Sequence, residues 1–107
     1  MAHPARRDEP AAANEPLDRD AAEEMARTLR AVADPTRLQV LSMILGAADG
    51  EATVGELAGA LGLSQPTVTH HLRIMVDDGL LVREPRGRQV WLSIAPHRRA
   101  AILDLLR

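Results

Sequence analysis

Residues 64–73 read SQPTVTHHLR and residues 84–88 read EPRGR. Both stretches concentrate side chains that can do chemistry. In the first, Ser64, Gln65, Thr67, Thr69 and His70 offer hydrogen-bonding groups, and Arg73 follows. Glutamine can pair bidentately with adenine in the major groove, serine and threonine can serve bases or phosphates, and arginine suits a phosphate. His70 and His71 raise a metal question as well. Adjacent helical positions point about 100° apart, whereas histidines that share a metal sit at i and i+4. The spacing therefore separates the pair. Thr69 and His70 lie opposite Leu72 and face outward; His71 turns toward the protein and is expected to pack on the preceding helix. Ser64 suits a helix cap, alone or together with a DNA contact. In EPRGR, Arg86 and Arg88 flank Gly87. A hairpin tip carrying arginine can enter a minor groove, where the negative potential favours it. The plainer reading of the tip is a solvated turn whose charges discourage edge pairing.

Apolar spacing supplies the elements that must hold these residues. Leu17, Ala21, Met25, Leu29 and Val32 make a helical stripe over 17–33, with Asp18 or Asp20 as its cap. At 34–37, DPTR restarts the chain: Asp34 is a cap candidate and Pro35 takes the first helical position, where its missing N–H costs nothing. Leu38, Leu41, Ile44 and Leu45 form the inner face of this second helix. Thr53 and Glu56 have capping-box spacing, Leu57, Ala58 and Leu61 face inward, and Gly62 supplies a left-handed stop. Ser64 opens a fourth helix with Val68, Leu72 and Met75 as its apolar stripe. Two helices joined across GLS at 62–64 make a helix-turn-helix. Leu80–Glu84 and Arg88–Ile94 are β-rich runs around a Pro–Gly turn, and Pro96 starts a last helix carrying Ile102, Leu103 and Leu106. The predicted class is mainly α with a small β-hairpin, a winged helix-turn-helix of order α-α-α-α-β-β-α. Residues 1–16, with three prolines and no periodicity, read as a disordered arm. Residues 17–107 read as one DNA-binding and dimerisation domain.

Composition narrows the function. The 107-residue chain has no cysteine, phenylalanine or tyrosine and one tryptophan, Trp91. Disulfides, thiolate metal sites and a cysteine nucleophile are excluded. With no glycine-rich phosphate loop and no carboxylate pair in a plausible cleft, an enzyme is not expected. A small core without aromatic bulk gains from a second copy; the expected interface is Leu17, Met25, Leu29, Ile102, Leu103 and Leu106. The longest apolar run is far too short for a bilayer and there is no apolar signal region, so a cytoplasmic protein without a membrane partner is expected. Net charge is −2, but it is unevenly spread. Residues 1–34 hold five arginines against eight acids, whereas 64–99 hold six (73, 83, 86, 88, 98, 99) against Asp77, Asp78 and Glu84. A basic segment in an acidic chain is the electrostatic footprint of a DNA binder. The alternative is an adaptor working through protein contacts, which has no need of both a polar recognition helix and an arginine-tipped wing.

LRAVADPTRLQVLSMIL, followed by TVGELAGALGLSQPTVTHHLRIMVDDGLLVREPRGRQVWLSI, resembles the ArsR-type (ArsR/SmtB) winged-helix transcriptional repressors of bacteria, from about Leu29 to Ile94. The resemblance implies a homodimer on double-stranded DNA at an imperfect inverted repeat, released when an effector, often a metal ion, binds. The family's thiolate site on the third helix falls here on Thr53 and Gly55, so it is absent. The site on the last helices opens with Asp-x-His, which corresponds to Ala95-Pro96-His97 and keeps only the histidine. A nickel/cobalt branch adds ligands from an N-terminal arm, and this chain begins Met-Ala-His. His3, His97 and Asp104 are therefore the candidate ligands for Ni²⁺ or Zn²⁺.

Overall fold

Four helix starts are set by the caps that the sequence proposes. Asp18 accepts the Asp20 N–H at 2.9 Å, Asp34 that of Arg37 at 3.0 Å, and Ser64 that of Thr67 at 3.3 Å. Thr53 and Glu56 cap reciprocally, at 3.0 and 2.8 Å. Such caps are worth about 1 kcal/mol each. In the computed structural model, which describes residues 15–106, they open α1 (Arg19–Val32), α2 (Pro35–Gly46), α3 (Val54–Leu61) and α4 (Gln65–Asp77). Arg37 adds a bridge: its Nε donates to the Ala31 carbonyl at 2.7 Å. DPTR thus starts α2 and satisfies the end of α1 with one motif. Gly62, at φ 67°, ends α3 in the left-handed conformation.

Three strands follow from pairing: β1 (Glu51–Thr53), β2 (Leu81–Arg86) and β3 (Gln89–Ile94), antiparallel in the order β1-β3-β2. The sequence reading has only the hairpin. β1 spans three residues, too few for a period, and exists because Glu51, Ala52 and Thr53 pair with Ser93, Leu92 and Trp91. The turn is also tighter than expected. Pro85 lies within β2, an edge strand where a missing N–H is tolerated, and only Gly87 and Arg88 turn the chain. Gly87 takes φ 60°, as the first residue of a two-residue hairpin turn often must. The last helix is also divided, into a 3-10 turn over Pro96–Arg98 and α5 (Arg99–Leu105).

The core sits where α2, α3, α4 and the inner face of the sheet meet. Val40, Leu41, Ile44, Leu57, Val68, Met75, Leu80 and Ile102 are fully buried. Two expectations change. Leu38 is exposed and Val40 takes the inward place. Ile102, expected at a dimer surface, has no exposure at all; it closes the protomer's own core and is not available to a partner. Among the described residues no helix is long and apolar enough to cross a membrane. The arm expected over 1–16 falls, except for Glu15 and Pro16, outside the described residues.

The edge of the fold at α1 is held differently. Of its 14 residues only Thr28, Ala31 and Val32 are buried. Arg98, counted in sequence with the basic segment, is 6% exposed. Its guanidinium donates to Thr28 Oγ1 through Nη1 and lies 3.1 Å from Glu24 Oε1 through Nε. Thr28 in turn donates to the Glu24 carbonyl at 3.2 Å. A buried arginine needs such partners, because an unpaired buried charge is costly. Arg98 thus pins the 3-10 turn to α1 and is removed from any DNA-facing surface.

Candidate nucleic-acid interface

Burial of Val68, Leu72 and Met75 fixes the roll of α4. Every third or fourth residue is spent on the core, which leaves Gln65, Thr67, Thr69, His70 and Arg73 exposed. Ser64 is the cap in fact: its Oγ accepts the Thr67 N–H and donates to Thr67 Oγ1 at 2.9 Å. Both hydroxyls are therefore engaged with each other at the head of the helix. Gln65, Thr69, Arg73 and Arg88 make no side-chain hydrogen bond or ion pair among the described residues.

Two clefts run along the gap between α4 and the wing. One, of about 310 Å³, is lined by Gln65, Thr69, Arg88 and Gln89 together with Thr53–Gly55 at the head of α3. The other, of about 410 Å³, has Leu72, Val76, Val90 and Leu92 as its apolar floor and Thr69, Arg73, Asp77 and Arg83 at its rim. Thr69 belongs to both. The structure thus gathers Gln65 and Thr69, one turn apart on α4, and Arg88 from the wing around one opening. Arg83 was not singled out as a contact. Strand parity could have found it: Arg83 pairs opposite Leu92, so it shares the inner face that looks toward α4.

The histidines separate as expected, with one change of partner. His70 is exposed. His71 is half-buried but turns to the start of α2, not to α3: its Nδ1 lies 3.8 Å from Asp34 Oδ2, beyond hydrogen-bond distance. That nitrogen is buried without a hydrogen-bond partner. The Asp34 carboxyl is held below its ordinary range, chiefly because it accepts the Arg37 backbone N–H, against desolvation, with the His71 and Arg37 charges adding to the effect.

Arg86 and Arg88 part company at the wing tip. Arg88 projects from the turn. Arg86 folds back over the outer face of the sheet, where Nη1 and Nη2 each lie 2.8 Å from an oxygen of Glu51 and Nη2 lies 2.9 Å from Glu84 Oε1. Its guanidinium carbon stands 5.2 Å from the centroid of Trp91, within cation–π range. The Glu51 and Glu84 hydrogen bonds raise the Arg86 pKa above its ordinary value, and Arg86 lowers that of Glu84.

The metal candidates do not assemble within the described residues. His97 is exposed on the 3-10 turn, Asp104 is exposed on α5 and already has an interaction, and His3 lies outside the described residues. No group of three His, Cys, Asp or Glu residues that could hold a metal stands among the described residues. Thr53, at the family's thiolate position, is buried and spends its hydroxyl on the α3 cap. The described donor set by itself does not fit a metal ion.

The geometry of α3, α4 and the wing has counterparts. The family of bacterial regulatory proteins named for arsR matches residues 34–82. The HTH-type transcriptional regulator NmtR of Mycobacterium tuberculosis is 38% identical over 89 residues, covering 83% of this chain and 72% of that protein. This chain belongs to the ArsR family. A probable mercury resistance operon repressor of Streptomyces lividans is 40% identical over 82 residues, 77% of this chain and 63% of that protein. Among solved structures, HlyU from Vibrio cholerae superposes with a TM-score of 0.74 at 31% identity, covering 82% of this chain and 94% of that one. The homodimeric winged helix-turn-helix DNA-binding domain of a possible ArsR-family regulator from Mycobacterium bovis gives 0.68 at 30% identity, covering 85% and 83%. The ArsR-family chain is a DNA-binding transcriptional regulator and not an enzyme, and its winged helix-turn-helix is the fold of these neighbours.

Proposed function

We propose that the chain acts as a homodimeric repressor that reads an inverted-repeat operator through α4 and the wing. The observation that carries this reading is the opening formed by Gln65, Thr69 and Arg88, all exposed and without a side-chain partner among the described residues, at the head of a helix whose opposite face is locked into the core. Gln65 and Thr69 would meet base edges, His70 would face the groove floor, and Ser64 and Thr67 would serve the nearest phosphate while capping. Arg73 and Arg83, on the rim of the adjacent cleft, would hold the phosphodiester strand that passes between helix and wing. Backbone contacts of this kind position the protein; base contacts give it sequence preference.

The dimer is supported by the apolar side chains left uncovered on α1 and just before its cap. Leu17 is 68% exposed, Met25 41% and Leu29 46%, and Leu103 and Leu106 of the last helix are half-buried. Leu105, not expected at the interface, adds a further exposed apolar side chain. A two-fold pair brings two α4 helices to successive major grooves, which is why the operator repeat is inverted. In sedimentation at micromolar concentration the chain is expected as a dimer, binding one dimer per duplex selected from a random pool. A monomer that selects no sequence would refute this reading.

A nickel- or zinc-type effector is a separate matter. It would require His3 to join His97 and Asp104, and what supports it is the resemblance of the Met-Ala-His start to the arm of the nickel/cobalt branch. Calorimetric titration with Ni²⁺ and Zn²⁺, repeated on His3→Ala with operator present, decides it. Binding lost with His3, and coupled to DNA release, supports a sensor; no binding makes the chain an effector-independent repressor or one that answers a different signal.

A further inference from the structure

We propose that Arg86 is not a DNA contact but a positioning residue, which clamps the wing to β1 so that Arg88 is carried to the DNA at a fixed height and angle. The proposal rests on the DNA-binding role described above. β1 supports only the base of the wing: it pairs with Trp91, Leu92 and Ser93, and the ribbon from Pro85 to Val90 projects beyond it. A two-stranded ribbon is marginal on its own and free to twist. Arg86 starts in that unsupported part and reaches back to the supported part. The register places Arg86, Glu84, Trp91 and Glu51 on one face, because residues directly opposite in an antiparallel pair share a face. Arg86 therefore spans all three strands, leaving β2, crossing the Trp91 ring on β3 and ending on Glu51 of β1.

The chemistry of the contact argues against a second use on DNA. A bidentate arginine–carboxylate pair is among the stronger charge-assisted hydrogen bonds, and both oxygens of Glu51 are used, at 2.8 Å each. Glu84 takes a further bond at 2.9 Å. Glu51 keeps only 21% of its side-chain exposure, so water screens the pair less than on an open surface. One positive charge faces two negative ones, and the outer face of the wing is locally acidic. A phosphate approaching Arg86 would have to displace two carboxylates and would be repelled by them. Arg88, two residues on, meets no such competition among the described residues.

The test uses the full chain with Glu51→Gln, Arg86→Met and Arg88→Met, each checked by thermal melting for a normal fold. Operator affinity is measured across a salt series, and Trp91 accessibility by acrylamide quenching without DNA. The clamp predicts that Glu51→Gln and Arg86→Met both weaken operator binding, by about two- to five-fold, the scale of a lost partly exposed ion pair. Both leave the salt slope unchanged and increase Trp91 quenching. Arg88→Met is predicted to lower the slope by about 1.8, one phosphate contact from each protomer of the dimer, with quenching unchanged. Tighter binding by Glu51→Gln, or a shallower slope for Arg86→Met, overturns the proposal, since each makes Arg86 a DNA contact that Glu51 restrains. If the parent binds no DNA, the regulator reading is what fails, and unchanged quenching in both clamp variants would still refute the clamp.

Discussion

α4 and α1 are almost equal in length, 13 and 14 residues, and both carry apolar residues at helical spacing. They solve the burial problem in opposite ways. α4 sinks Val68, Leu72 and Met75 into its own protomer and presents polar groups outward, of which Gln65, Thr69 and Arg73 have no side-chain partner among the described residues. α1 buries Thr28, Ala31 and Val32, is pinned by Arg98, and leaves Met25 and Leu29 in water. One helix is finished by its own chain, and its free face is therefore available for DNA. The other is finished only when something apolar covers it. The same periodicity in sequence thus marks two different surfaces, and burial distinguishes them.

The largest effects should come from breaking this division. Leu72→Ala removes a buried anchor of α4 and is expected to cost about 2–5 kcal/mol of stability, read as the midpoint shift in urea unfolding. The exposed positions should behave differently. Met25→Glu with Leu29→Glu should leave the protomer folded by circular dichroism yet shift sedimentation from dimer to monomer, and operator binding should fall with it. A double variant that stays dimeric would place the interface elsewhere. On the DNA side, Gln65→Ala should lose about 1–3 kcal/mol of discrimination between operator and mismatched duplex. Arg73→Ala should instead weaken binding to every sequence and reduce the salt slope by about 1.8, one contact from each protomer. If both variants changed affinity uniformly, Gln65 would be a backbone contact.

The smallest expected effect is on pH. Asp34 and Glu84 have folded pKa values below their ordinary ones. Their contributions are therefore complete above the unfolded carboxylate range and are lost as pH falls through the lower folded values, below about pH 4. These groups should leave stability flat between about pH 5 and pH 8, and Asp34→Asn should remove part of the acid-side decline in thermal melts.

What was legible in the sequence was local. The caps at Asp34, Ser64 and Thr53–Glu56, the left-handed Gly62 and the inward stripe of α4 depend on residues within one or two turns of each other, and spacing carries that information. What was not legible depends on partners distant in sequence. β1 is a strand only because β3 lies beside it. Arg86, Arg88 and Arg98 count equally in a charge sum, yet Arg86 finds Glu51 35 residues away and Arg98 finds Thr28 70 residues away. Of the three, Arg88 alone has no side-chain partner among the described residues. Ile102 has the spacing of a surface stripe on a short helix, and only the packing of α5 against the body shows that it points inward.

The central claim is that the free face of α4 and the tip of the wing read DNA by sequence. It is tested most directly by measuring affinity for a selected inverted-repeat duplex and for the same duplex scrambled, over a salt series. Both affinities are expected to fall steeply with salt, with the selected duplex preferred by about 10³-fold or more at physiological salt. Equal affinity for the two duplexes, or no salt dependence, would contradict the account.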